Sequence, residues 1–267
     1  LLPAPSNYVD PALKYVLEEE SDPLRRFRLV RTAKAPKVKL LSRIKVKALE
    51  DNRVRITDTI AWPHRVHGHL IITYPDGTQF PGSGTMVNRH HVLTAGHVVH
   101  MASRGGWATS IQFNAAQDES ILPFGAAFAT RLISFRGWTE EQLAEYDTGM
   151  LILDRDLGNL TGWMGLILTG DDDLSRDVTV TGYPGDKGGQ QMWSATGAIR
   201  DVNSHTITYD AYTKGGQSGA GVYGIWPGLA QEHACANHRA GRNGIPNLGS
   251  RLARDKFDRI VSEWLFK

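Results

Sequence analysis

At 267 residues, with 28 glycines, 12 prolines, a single cysteine and a net charge of +2, the chain can bury one large or two modest cores but cannot form an intrachain disulfide framework. No apolar run approaches the roughly 20 residues of a membrane-spanning helix. The small net charge hides a split, because residues 1–45 carry ten Lys/Arg against five Asp/Glu, and Arg25 to Lys47 contains no acidic residue. Clustered cations can bind phosphate. Here, however, they lack helical spacing and interleaved aromatics beyond Phe27, which favours a removable leader over a nucleic-acid or membrane-surface arm.

The elements that follow are mostly strands. Leu70–Tyr74, Pro75-Asp76-Gly77 and Thr78–Phe80 read as a hairpin turned at Asp-Gly. Further strands are expected at Gly84–Val87, His91–Thr94, Gly149–Leu153, Val178–Tyr183, Gln190–Ile199, Thr206–Tyr209, Gly219–Tyr223 and Ala234–His238. Gly158 and Gly162 break the pattern, so a boundary between two halves is expected near 157–165. The tail differs. Phe257, Ile260, Val261, Trp264 and Leu265 recur at i, i+3, i+4, i+7 and i+8, one face of an amphipathic helix.

Three short segments carry chemistry. In Thr94-Ala95-Gly96-His97 a histidine follows a small turn at a strand end, so the backbone holds its ring. Asp147 stands at the mouth of the apolar run Gly149–Leu153, where a carboxylate is costly to bury unless an imidazole or similar donor meets it. Asp154 and Asp156 lie beyond that run and read as solvated turn residues. Gly215-Gly216-Gln217-Ser218-Gly219 places a serine in a glycine-built turn whose amides can converge on one point. The remaining histidines read differently. Of His64, His67 and His69 only the last two share a strand face, no third ligand follows, and a surface strand is expected there rather than a metal site.

In the order His97, Asp147, Ser218, these segments resemble the chymotrypsin-type serine endopeptidases, and most of all the V8-like glutamyl endopeptidases. The resemblance runs from about Val46 to the C-terminus and includes Ile56-Thr57-Asp58-Thr59, Thr213-Lys214-Gly-Gly-Gln-Ser218-Gly and His238-Arg-Ala-Gly. It implies an all-β fold of two antiparallel six-stranded barrels, about 56–160 and 161–252, closed by a C-terminal helix at about 253–266. It implies His97, Asp147 and Ser218 as catalytic residues and the N–H groups of Gly216 and Ser218 as the oxyanion hole. No metal or cofactor is called for. Gly219-Ala220-Gly221 departs from the family's usual Gly-Ser-Pro or Gly-Gly-Pro.

A pocket for an acidic side chain is also implied. Thr213 matches the family's threonine before the nucleophile. For its histidine, His233 matches the distance from the serine and His238 the local context; an insertion around 225–229 reconciles them in favour of His238. The family's freed amino terminus lies ten residues before Ile-Thr-Asp-Thr, which here is Val46. Residues 1–45 are therefore expected to be a pro-segment cut between Lys45 and Val46 by a processing protease, leaving a domain at 46–267. Secretion, a monomeric state, protein or peptide substrates cleaved after Glu and less readily Asp, and no nucleic-acid or membrane partner complete the expectation. The alternatives are a catalytically silent homologue that binds or adheres, and a protease with another P1 preference.

Overall fold

The computed structural model describes residues 14–18, 50–171, 176–242 and 245–266. Val46 and the Lys45–Val46 junction lie outside them. The strands are β1 (Lys14–Glu18), β2 (Val54–Arg55), β3 (His67–Thr73), β4 (Gln79–Met86), β5 (His91–Thr94), β6 (His100–Met101), β7 (Gly106–Trp107), β8 (Ser110–Ala115) and β9 (Ala126–Phe135). They continue with β10 (Gly149–Leu153), β11 (Gly165–Leu166), β12 (Asp177–Gly182), β13 (Trp193–Val202), β14 (Thr206–Tyr209), β15 (Gly221–Ile225), β16 (Glu232–Arg242) and β17 (Ile245–Arg251). Three α-helices of one turn, α1 (Gly96–Val99), α2 (Arg136–Thr139) and α3 (Gly158–Thr161), interrupt them, and α4 (Arg254–Ser262) follows β17, before a 3-10 turn at Trp264–Phe266.

Two closed antiparallel barrels result. In the first, β9, β10, β5, β4, β3 and β8 pair in that order, and β8 closes onto β9. In the second, β16, β15, β12, β13, β14 and β17 do the same, with β17 closing onto β16. Closure leaves few edges to protect. β1 adds to the outer edge of β9 in parallel, from Lys14 opposite Arg131 to Glu18 opposite Phe135. The expected hairpin is present as β3–β4, with Gly77 at φ 79° and its N–H donating to Tyr74 O.

Each barrel has its own core. Leu70, Ile72, Met86, Val92, Phe113 and Leu151 fill the first, and Val178, Val180, Ile207, Tyr209 and Val222 the second. A third cluster, with Leu93, Ile133, Phe135 and Met150, receives Ile260 and Trp264 from the C-terminal segment. The helix therefore docks on the outside of barrel one beside the Asp147 loop. Of the residues expected on its buried face, Val261 is exposed instead, and Lys256, four residues before Ile260, is fully buried. No helix among the described residues is long and apolar enough to cross a membrane.

His67 and His69 do not lie on a surface strand. Both are buried where the barrels meet. His67 stacks on Tyr223 of barrel two with ring centroids 5.0 Å apart, and its Nδ1 lies 3.0 Å from Thr85 Oγ1. His69 Nδ1 lies 2.9 Å from Gln117 Oε1. In a two-barrel molecule the outer face of a strand can be an interior one, and period-two spacing does not distinguish the two cases.

Candidate active site

His97 enters through α1, immediately after β5. Its own carbonyl accepts a hydrogen bond from the Tyr74 hydroxyl at 2.7 Å, and its N–H donates to Asp147 Oδ1 at 2.7 Å. The ring Nδ1 stands 2.9 Å from Asp147 Oδ2 and 3.1 Å from Oδ1. Backbone and ring are thus fixed by one carboxylate, which sets Nδ1 as the protonated nitrogen and leaves the Nε2 lone pair able to accept a proton. Trp138 packs edge-on against the imidazole at 6.1 Å.

Asp147 is fully buried and owes its place to a tight turn. Its φ of −72° and ψ of 62° make an inverse γ-turn, with Thr148 N–H donating to Tyr146 O at 2.7 Å. The Asp147 carbonyl accepts from Asn237 Nδ2 at 2.8 Å, and Asn237 Oδ1 accepts from the Thr148 hydroxyl at 2.8 Å. Arg239 Nε lies 3.1 Å from Asp147 Oδ2, close enough for charge attraction but not aligned as a hydrogen bond. Asp154 and Asp156 have other partners: the Phe128 N–H for the first, His90 and Arg89 for the second.

Ser218 comes from barrel two, on the loop between β14 and β15. Barrel one holds that loop: Ser83 N–H donates to Ser218 O at 2.8 Å and the Ser83 hydroxyl to Gly216 O at 2.8 Å. Two glycines are required by geometry. Gly216 has φ 96°, and a Cβ there would stand 2.4 Å from Tyr183 O. Gly219 has φ 86°, and a Cβ would stand 2.0 Å from Thr94 Oγ1 and 2.9 Å from Ala95 N. This close approach brings the serine loop against the turn that carries His97. Within the loop, the N–H groups of Gln217, Gly219 and Ala220 donate to Lys214 O, His238 O and Gln217 O. Those of Gly216 and Ser218 meet no acceptor among the described residues. Two unspent amides flanking a half-buried serine can receive an oxyanion.

Beside this loop lies His238, buried on β16 with its N–H donating to Ala220 O at 2.7 Å. Its Nδ1 is 2.6 Å from the Tyr209 hydroxyl, and burial pushes its pKa down to about 3. Burial also raises the Tyr209 phenol well above its usual value. The phenol therefore donates to Nδ1, and His238 is a neutral imidazole protonated on Nε2. Thr213 is buried with its hydroxyl unpartnered among the described residues. His233 sits farther along β16, paired with Gly224 and Gly165, and its ring packs on Gly165. The structure gathers His97, Asp147, Ser218, Gly216 and His238, and leaves His233 apart.

Sequence reasoning missed Tyr209, Asn237, Arg239 and Ser83. Arg239 stood within the quoted His238-Arg-Ala-Gly stretch. Nothing local marked the others, since single polar residues within strands carry no period of their own.

Residues 82–224, more than half of the chain, match the trypsin-like peptidase domain family. The chain belongs to the trypsin-like peptidases. It is a serine endopeptidase with glutamyl endopeptidases among its relatives. A Bacillus licheniformis glutamyl endopeptidase is 28% identical over 217 residues, covering 79% of this chain and 67% of the relative. One from Staphylococcus aureus strain MW2 is 27% identical over 173 residues, covering 65% of this chain and 52% of the relative. A Bacillus subtilis protein named extracellular metalloprotease is 36% identical over 212 residues, covering 79% of this chain and 67% of the relative. Among the described residues no three His, Cys, Asp or Glu side chains are grouped to hold a metal. The solved structure of a Glu endopeptidase in complex with MPD has the same fold, with a TM-score of 0.71 at 21% identity over 82% of this chain and 98% of that one.

Proposed function

We propose that this serine endopeptidase works through Ser218, His97 and Asp147, prefers Glu and then Asp at P1, and is exported as a zymogen whose residues 1–45 are removed. The observation that carries the reading is the pairing of Asp147 with His97 Nδ1 across from a serine loop with two unspent amides. Ser218 attacks the scissile carbonyl as His97 Nε2 takes its proton. The same imidazole then hands that proton to the leaving amine, while Asp147 stabilises the imidazolium. The N–H groups of Gly216 and Ser218 hold the oxyanion. Losing one such donor costs about 3–4 kcal/mol of transition-state stabilisation.

The P1 preference rests on donors. A buried carboxylate must be met by hydrogen bonds or charge. His238 Nε2–H and the free Thr213 hydroxyl supply two neutral donors, and the ammonium freed at Val46 supplies the charge. Residues 50–56 support that last part, because they are tied to the loops around the serine. Buried Arg53 pairs with Asp186 at 2.7 Å, and Asn52 Oδ1 accepts the Tyr212 N–H at 3.1 Å. The extracellular location in the Bacillus subtilis relative's name accords with secretion. The substrates are proteins or peptides, and the enzyme acts as a monomer.

A serine-directed phosphonate should label wild type on Ser218 and leave Ser218→Ala unlabelled. No labelling of a processed, folded enzyme would favour the silent homologue. A peptide panel varied only at P1 should rank Glu above Asp and both far above Lys, Arg or Phe. Another order would refute the pocket while sparing the triad. N-terminal sequencing of the active enzyme should give Val46, and full activity with Leu1 in place would refute the zymogen.

A further inference from the structure

Lys256 is fully buried, although lysine is among the residues least often found inside a protein. It sits on α4, one helical turn before the buried Ile260. Its Nζ donates to Glu145 O at 2.6 Å and to Ser250 Oγ at 2.8 Å, with His205 O at 3.5 Å. Burial lowers its pKa to about 7, against the opposing pull of Asp255, Asp147 and Glu145. No step of peptide hydrolysis uses this ammonium. Placing it there costs several kcal/mol of desolvation, which its hydrogen bonds must offset.

Its contacts lead to one place. Ser250 Oγ is 3.0 Å from Thr148 Oγ1, the Thr148 hydroxyl donates to Asn237 Oδ1 at 2.8 Å, and Asn237 Nδ2 donates to Asp147 O at 2.8 Å. Ser250, Thr148 and Asn237 are all fully buried. The ammonium can only donate to Ser250, and the Thr148 proton goes to Asn237 Oδ1, so the single Ser250 proton is divided between Glu145 O at 2.9 Å and Thr148 Oγ1 at 3.0 Å, both on the turn around Asp147. A second arm is direct, since Glu145 O belongs to the turn that delivers Asp147. Both arms end on the backbone and hydroxyl of residues 145–148 and leave the Asp147 carboxylate to His97 and Arg239.

We propose that Lys256 is a positioning residue for catalysis: through Glu145 O and the Ser250–Thr148–Asn237 chain it couples the C-terminal helix to the turn that aims Asp147 at His97. The proposal rests on the triad reading above. It assigns the buried charge to orientation rather than to stability. A misplacement of a catalytic group by about 1 Å can lower the rate up to a hundredfold even when its cause lies away from the chemistry.

The test compares wild type, Lys256→Met, Ser250→Ala and the double variant, reading kcat, KM and thermal midpoint on a Glu-containing peptide. Met matches the lysine stem and removes an ammonium whose own desolvation costs several kcal/mol, while Glu145 O keeps the Ser250 hydroxyl as a donor. The expected result is a kcat lowered roughly tenfold to a hundredfold, with KM within about twofold and the midpoint unchanged or higher. The double variant should be no slower than Lys256→Met, because both changes cut one chain. Ser250→Ala keeps the test decisive if Lys256→Met does not fold. Wild-type kcat in both singles, or a kcat loss that only tracks lost stability, overturns the proposal. Failure of the triad reading would appear separately, as a wild-type enzyme not labelled at Ser218 by the phosphonate.

Discussion

Acidification from pH 7 to pH 5 should destabilise this protein well before its carboxylates protonate. His67 and His238 are fully buried, and burial lowers both pKa values to about 3. In the unfolded chain each titrates near 6.5. Between those values the unfolded state holds the proton and the native state does not, so stability falls as pH falls, starting near 6.5 and levelling off near 3. At pH 5 each histidine has moved about 1.5 units below its unfolded pKa, worth about 2 kcal/mol, so the pair is worth about 4 kcal/mol. His91, lowered to about 4, acts in the same direction, as do His64, His69 and His100.

A loss of about 4 kcal/mol is a large part of the 5–15 kcal/mol typical of a folded domain. At roughly 2–4 °C per kcal/mol for a chain of this size, the thermal midpoint should drop by about 10 °C. Melting Ser218→Ala, which prevents self-digestion, in buffers from pH 8 to pH 4 measures this. Lys256, lowered to about 7, adds to the same trend only at the top of the range, since its ammonium is fully protonated in both states only below about pH 6. In His67→Gln the stability lost between pH 7 and 5 should shrink by about 2 kcal/mol. A midpoint that stays level down to pH 5 and falls only below 4 would show that carboxylates, not buried histidines, govern acid stability.

Two substitutions probe how the barrels hold the serine loop. Ser83→Ala removes the donor to Gly216 O and the acceptor of Tyr183 N–H; two buried groups left unpaired should cost about 2–4 kcal/mol in urea unfolding and lower kcat as well. Gly219→Ala would force a Cβ to within 2.0 Å of Thr94 Oγ1 at φ 86°; phosphonate labelling of Ser218 should slow by roughly a hundredfold, and a wild-type labelling rate would contradict the close approach of the two turns.

Much of the fold was legible where the local signal was strong. β5, β10 and β14 fall where the apolar runs predicted them. β8, β9 and β17 were not anticipated, for physical reasons. β9 reads Ala-Ala-Phe-Ala-Thr-Arg-Leu-Ile-Ser-Phe, and its last four residues are all buried, so alternation disappears where a strand is covered on both faces. β17 contains Pro246 and Gly249, residues that argue against a strand. Gly249 is nonetheless suited to its place, because the Tyr209 ring comes within 3.2 Å of where a Cβ would be. The site followed the same division. His97, Asp147 and Ser218 stood in motifs with turn chemistry of their own. Ser83, Asn237, Ser250 and Lys256 act only across the fold, and no spacing along the chain pairs them.

Ser83 shows why that hidden set matters. Ser218 and the residues proposed to activate it come from different barrels, so their alignment depends on how one barrel grips the other. Ser83 is fully buried and makes four hydrogen bonds, to Ser218 O, Gly216 O, Tyr183 N and Thr94 Oγ1. It thereby joins the serine loop, the loop after β12 and the strand leading to His97. Thr85, two residues on along β4, accepts the Gly221 N–H at 3.0 Å. The spacing of two puts both side chains on the strand face that meets barrel two. Gly82-Ser83-Gly84-Thr85 is thus as much a part of the site as Gly215-Gly216-Gln217-Ser218-Gly219. One loop presents the serine, and one strand fixes where that loop can stand relative to His97.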